Sequence, residues 1–292
     1  MRRHHYIPQF YLSSFTLSGD TDGALWVTDR VMQKHWQATP ASAAFIRGFY
    51  APAHSQADPE AVEKGLAGVE SKLAPAYRAV VATGRMPEAG SQEYGLIMNL
   101  VALMFVRVPA VRQAHDKHWE QVFKMLLSII TEKRERFEVV RRRIQSTGVE
   151  LPDVSFERFQ DTVRSEKCCV KLGPNAGISH MFRLLDVILP LLSRRNWCLG
   201  LCEDNSPDLI CSDVPVSLTW VRPIVGLPPG FGHRETVLTM PLNKRMALVG
   251  CFEPLPPTTI LRSAHIGDIN GCTLRAAQFA FAPTEHIFCR AS

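Results

Sequence analysis

No cysteine occurs before residue 168, no apolar run approaches a membrane span, and no glycine-rich nucleotide motif is present. Each absence removes a class of protein. The 8 cysteines crowd the last part of the chain, mostly inside apolar strings such as "NWCLGLCE", "LICSD" and "LVGCF". Thiols set this way behave as small hydrophobes and suit a reducing compartment rather than a disulfide framework. A zinc site wants close Cys/His pairs facing a second pair. The nearest approaches are Cys168-Cys169 and Cys198 with Cys202, and two residues on one side of a strand serve core packing equally well. The most apolar run, Leu96 to Val106, is interrupted by Asn99, closed by Arg107 and far short of the about 20 residues a spanning helix needs. The opening residues lack the apolar core and cleavage site of a secretory signal. These features predict a soluble, cytoplasmic chain with no membrane partner. There is no P-loop or dinucleotide fingerprint, so no nucleotide cofactor is expected; "GLPPGFG" is a proline-rich turn without strand–turn–helix context. Without a G-x-S-x-G elbow, a serine-hydrolase role for Ser212 is the weaker reading.

Charge is nearly balanced. Against 28 acids stand 33 Lys and Arg, giving net +5, and much of the excess sits in "EKRERFEVVRRRIQ". That stretch is a solvated helix face or a phosphate-contacting patch. Nucleic acid or another phosphate-bearing substrate is thus an admissible partner, while the oligomeric state stays open.

The 292 residues read as an α+β protein. "GALWVTDR" and "KHWQATP" form an N-terminal hairpin. Pro59–Arg85 is a helix, with Glu63, Leu66, Glu70, Leu73 and Tyr77 at helical steps and Gly84 at its end. A buried helix covers Gln92–Arg107 and stops before Pro109. Val111 to Gly148 traces one apolar stripe, which predicts a single helix of over thirty residues with Lys133 as its weakest point. Ser155 caps a short helix through Lys167, and Ala176–Arg194 is another, kinked or ended by Pro190. Short β-rich runs follow: "WCLGLC", "DLICS", "VSLTW", "TVLTM" and "MALVGCF". A helix over Ile266–Phe281 and a strand "EHIFCR" close the chain. The expected architecture is a mostly antiparallel sheet, N-terminal hairpin plus C-terminal strands, packed against a large helical middle. One domain over 1–292 is expected. The alternative is a β-rich core of 1–58 and 195–292 carrying a helical insert, 59–194.

The chain opens "MRRHHYIPQFYLSSF". Chain ends usually fray, yet this one holds four aromatics and two imidazoles. It is tucked into the core, or it delivers chemistry there. Neighbouring residues diverge on helix or strand alike, so His4 and His5 do not serve one small site together. One is expected to act and the other to hold a structural hydrogen bond. Pro8 favours an extended Ile7 and a helix start at Gln9.

These residues also carry a likeness. "HHYIPQFYLSSF" followed by "GALWVTDR" resembles a family of functionally uncharacterised, mainly bacterial proteins, the domain of unknown function 4238, which begins with His-His-Tyr-x-Pro-Gln-Phe-Tyr-Leu. "LAGVESKLAPAYRAV" resembles a family helix carrying a glutamate, here Glu70. "ALMFVRVPAVR" resembles a segment ending Arg-Thr-Pro, "LICSDVPVSL" a strand ending Ser-Asp-Asn-Pro, and "TMPLNKRMALV" a Pro-Leu-Ser-Pro segment. The chain departs from these at Val108, Val214 and Asn243. The likeness supplies no activity but adds weight to His4, His5, Gln9, Glu70, Arg107, Ser212 and Asp213.

As chemistry, a carboxylate on the apolar side of a helix must be paired, and Arg107 is the expected partner of Glu70. Asp213 follows a strand and projects into a loop, where it caps its own backbone or joins a site. If the arm, Glu70 and Asp213 converge, His4 or His5 and the two acids are the catalytic set. Gln9, Arg107, Ser212 and Tyr6 would then be the substrate-binding set. Such groups suit phosphodiester hydrolysis in a nuclease-like toxin or defence effector, with Arg107 stabilising negative charge or a divalent metal held by His, Asp and Glu. The alternative is a non-catalytic ligand- or protein-binding module whose aromatic N-terminal arm is structural.

Overall fold

A computed structural model describes residues 3–52, 58–165 and 171–285. In chain order, β1 (Arg3–His5) and α1 (Gln9–Leu12) form the opening, with one 3-10 turn after α1. The strands β2 (Leu25–Asp29), β3 (Lys34–Ala38) and β4 (Phe45–Arg47) follow. The helices are α2 (Ala61–Thr83), α3 (Gln92–Val106), α4 (Pro109–Ile130), α5 (Arg134–Gln145), α6 (Phe156–Arg164) and α7 (Pro174–Leu192). The β-rich part holds β5 (Asn196–Cys202), β6 (Cys211–Ser212), β7 (Ser217–Trp220), β8 (Thr236–Asn243), β9 (Met246–Cys251) and β10 (Thr258–Leu261). Helix α8 (Ser263–Arg275) and β11 (Phe279–Ala282) complete the described elements. The class is α+β, with antiparallel-rich sheets and a helical middle.

The strands form three sheets: β1-β4, β10-β5-β9-β8-β7 and β3-β2-β11-β6. All pairings are antiparallel except β10 on β5. The hairpin β2–β3 thus joins β11, from the other end of the sequence, in one sheet. Contacts divide the chain into two units, Met1–Val111 with Ile178–Ser292, and Arg112–Gly177.

The core of the first unit takes in the N-terminal aromatics. Tyr6, Ile7, Tyr11, Leu12 and Phe15 are all buried, and each contributes about 1.5–3 kcal/mol of apolar transfer free energy. Tyr11 donates from its hydroxyl to the Pro241 carbonyl at 2.5 Å, and Tyr77 to that of Leu242. Both hydroxyls are therefore satisfied where unpaired ones would be costly. The opening is tucked in because its side chains fill space between α2 and β8.

Helix boundaries follow local chemistry. Gly84 ends α2 at φ 61°, in the left-handed region glycine enters without strain. Ser91 caps α3 by accepting from the Tyr94 N–H at 3.1 Å, and Ser155 caps α6 in the same way. Pro190 lies inside α7.

Two expectations need correction. The single helix over Val111–Gly148 is two: Thr131 turns its hydroxyl onto the Leu127 carbonyl, and Lys133 is extended at φ −135°, ψ 135°. A periodic stripe survives such a break because the apolar residues resume in phase. The helix expected over Ile266–Phe281 stops at Arg275, and its last part is β11. Strand β10, "TTIL", went unread. The strand "EHIFCR" and the pair Cys168-Cys169 lie outside the described residues. Among those described, no single helix is long and apolar enough to cross a membrane.

Candidate functional site

Strand β1 is extended and pairs with β4, His4 opposite Ile46 and His5 opposite Phe45. Alternation then sends the two imidazoles apart. His4 is 2% exposed, stacks on the Tyr50 ring at 5.8 Å and accepts the Tyr50 N–H at Nδ1 over 2.9 Å. Burial lowers its pKa, opposed by the charge of Glu60. It is the structural member of the pair.

His5 is half-buried. Its Nε2 donates to the Ala41 carbonyl at 3.2 Å, and its Nδ1 faces the Gln9 amide at 3.5 Å. Those partners assign one tautomer, protonated at Nε2, with a weakly engaged lone pair at Nδ1. Burial holds its pKa below the ordinary imidazole value. The Ala41 carbonyl and Glu70 oppose this, while Arg107 and Arg3 add to it. The ring is neutral at pH 7.

Arg107, just past the end of α3, is 1% exposed. Its guanidinium donates to Glu70 at 2.5 Å, to the Tyr50 hydroxyl at 3.3 Å and to the His5 carbonyl. A buried cation needs such partners. Its donors are used inside the protein, so it fixes the His5 backbone and Glu70 and does not reach a substrate.

One residue of this cluster was missed. Glu63 lies two helical turns before Glu70 on α2. Its Oε2 is buried without a hydrogen-bond partner. Burial raises its pKa, Arg107 opposes, Glu70 adds, and the His5 backbone N–H opposes. The signal was in the sequence, because Glu63 lies on the apolar-facing stripe with Leu66 and Glu70. Arg3 and Arg47 also bear on the site. They are directly opposed in the β1–β4 register, and Arg3 and His5 both contact the Phe45 ring. Arg3, His5 and Arg47 therefore share one face, with both arginines exposed.

The structure brings His5, Gln9, Glu70 and Arg107 together and leaves Asp213 and Ser212 apart from them. The Ser212 hydroxyl donates to the Thr273 carbonyl at 3.0 Å and accepts from the Val214 N–H. Asp213 accepts the Gln278 and Phe279 N–H groups on Oδ1, each at 3.1 Å. Burial pushes its pKa up to about 6 against those bonds and the charge of Arg30. Tyr6 points to this side: burial raises its phenol pKa, and the charge of Asp213 adds to it. Among the described residues, no group of three or more His, Cys, Asp or Glu side chains could hold a metal ion. The thiols of Cys198 and Cys202 are free.

No curated protein and no solved structure matches the chain. One family model does, that of the proteins of unknown function DUF4238, over residues 3–286. With nearly the whole sequence covered, from β1 past β11, the chain belongs to that family.

Proposed function

We propose that the protein is a phosphodiester-acting hydrolase working by general acid–base chemistry at His5. The carrying observation is a neutral imidazole with an almost free Nδ1, set within electrostatic reach of Glu70, whose neighbour Glu63 has a raised pKa. Burial favours the neutral form of both groups, an unprotonated imidazole and a protonated carboxyl, which suits base and acid roles. Nδ1 takes the proton of an attacking water that displaces the long Gln9 contact. Glu63, protonated, gives its proton to the leaving oxygen, and the phosphorus–oxygen bond breaks to a phosphomonoester and an alcohol. Arg3 and Arg47 offset the phosphate charge; Glu70 and Arg107 are positioning residues. No step is routed through a metal.

The alternative, a non-catalytic binding module with a structural arm, draws on the buried His4 ring and the packed aromatics. The two separate on bis(p-nitrophenyl) phosphate and single-stranded nucleic acid. His5→Ala and Glu63→Gln should each lower kcat by at least about 10²-fold with melting temperature nearly unchanged. The rate should fall at low pH as His5 protonates and at high pH as Glu63 ionises. Wild-type turnover that survives His5→Ala, or no turnover at all, returns the arm to packing.

A further inference from the structure

Away from His5, the first unit contains a cavity of about 490 Å³, within the about 300–1,000 Å³ range of small-molecule sites. Leu184, Ile188 and Leu191 of α7 form one wall, Phe105 of α3 and Leu218 of β7 the others. Among the polar groups in this lining, Ser217 and Arg275 matter most. Ser217 is 9% exposed, and its hydroxyl has no hydrogen-bond partner among the described residues. A hydroxyl free to donate into a cavity is available to a ligand acceptor. Arg275, at the end of α8, is exposed, and its guanidinium touches only the Cys272 sulfur, at 4.0 Å. No acid neutralises it among the described residues. The cavity thus offers a long apolar surface, one unmet hydroxyl and one unpaired cation.

We propose that this cavity binds a medium-chain aliphatic carboxylate. The chain lies against α7 and β7, the carboxylate meets the Arg275 guanidinium, and Ser217 donates to it. An alkyl chain matches the apolar wall. A single negative charge matches the single cation, which a polyanion does not. The site is independent of the chemistry at His5.

Titration calorimetry with dodecanoate below its micellar concentration, against dodecanol, tests this on the full chain. Wild type should bind dodecanoate 1:1 and more tightly than the alcohol. Arg275→Gln should weaken dodecanoate by about tenfold, the loss expected for one charge-assisted bond, and leave the alcohol unchanged. Ser217→Ala should weaken it by a smaller factor. Val187→Trp, at an exposed position on the cavity rim, should weaken both ligands while the circular dichroism stays that of wild type. Absence of saturable binding to wild type overturns the proposal. So does equal affinity for acid and alcohol, or dodecanoate binding that Arg275→Gln and Val187→Trp leave intact.

Discussion

Asp213 holds its place by accepting the backbone N–H groups of Gln278 and Phe279, where the chain enters β11. Its pKa is nevertheless raised, to about 6 from 3.8, because burial penalises the charge more than those bonds and Arg30 favour it. The folded state then binds the proton more tightly than the unfolded chain does. Stability from this group is fully present below the unfolded pKa and is lost as pH rises through about 6, on the order of 2–3 kcal/mol across the window. Asp213→Asn keeps the Oδ1 acceptor and removes the titration. Urea unfolding of the two proteins should therefore diverge between about pH 4 and pH 6, with wild type losing ground as pH rises. Parallel stability curves would mean that Asp213 titrates alike in both states. In the sequence, Asp213 stands as a partner of the histidines only through the family likeness and its place at a strand end, with capping of its own backbone as the other reading. What decides the matter is which backbone donors face the carboxylate, and those come from residues 278 and 279. The Glu70–Arg107 pair was legible, since a carboxylate on a buried stripe must find a cation. Glu63 shows in the sequence as a position on the same stripe, but no partner there marks it as a site residue.

At the level of elements, a strand glycine and a helix glycine make opposite demands. Gly250 in β9 stands opposite Trp197 of β5, and an added Cβ would lie 2.7 Å from the indole. That ring cannot swing freely, because its Nε1 donates to the Leu192 carbonyl at 3.1 Å. Gly267 in α8 has nothing within 4 Å of the same position. Gly250→Ala should then destabilise the protein by about 1–3 kcal/mol through overpacking. Gly267→Ala should stabilise it by about 0.5–1 kcal/mol through helix propensity. Chemical denaturation reads both, and a silent Gly250→Ala would show that β5 and β9 yield. The same scale explains what periodicity can see. Helices α2 and α3 were legible because a stripe, a cap and a stop signal agree. The break at Thr131–Lys133 shows in the sequence only as Lys133, the weakest point of the stripe, since a hydroxyl bonding back to its own helix leaves the apolar spacing intact. The α8–β11 boundary was hidden too: "AAQFAFA" is apolar in either conformation, and only pairing with β2 and β6 makes its second half a strand.

Across the whole chain, the first unit is closed by its two ends. Strand β11 lies between β2 and β6 in one sheet, pairing Phe279–Ala282 with Trp26–Asp29 and with Cys211–Ser212. The residues before it accept from Arg30, whose guanidinium donates to the Ala277 carbonyl at 2.9 Å and whose N–H donates to that of Gln278. Neither β2 nor β6 has another partner to replace that strand, and Phe281 is 1% exposed in the core. Such contacts join residues about 250 apart, so no local pattern in the sequence could announce them, while the elements they join were mostly readable one by one. Their energetic consequence is cooperativity. Removing residues 277–292 takes away the inner strand, the Ala277 and Gln278 carbonyls that accept from Arg30 and the donors to Asp213 at once, so Asp213 is left without those donors and Arg30 keeps only the Leu274 carbonyl of its three. The shortened chain, 1–276, should lose its sigmoidal melt and its near-ultraviolet circular dichroism while keeping much of its helical far-ultraviolet signal, because α2–α7 do not depend on β11 for their hydrogen bonds. A cooperative transition within about 5 °C of the full-length protein, an interval worth only one or two kcal/mol at this size, would mean that β2 and β6 close on each other without it. The folding of this unit would then not wait for the last strand.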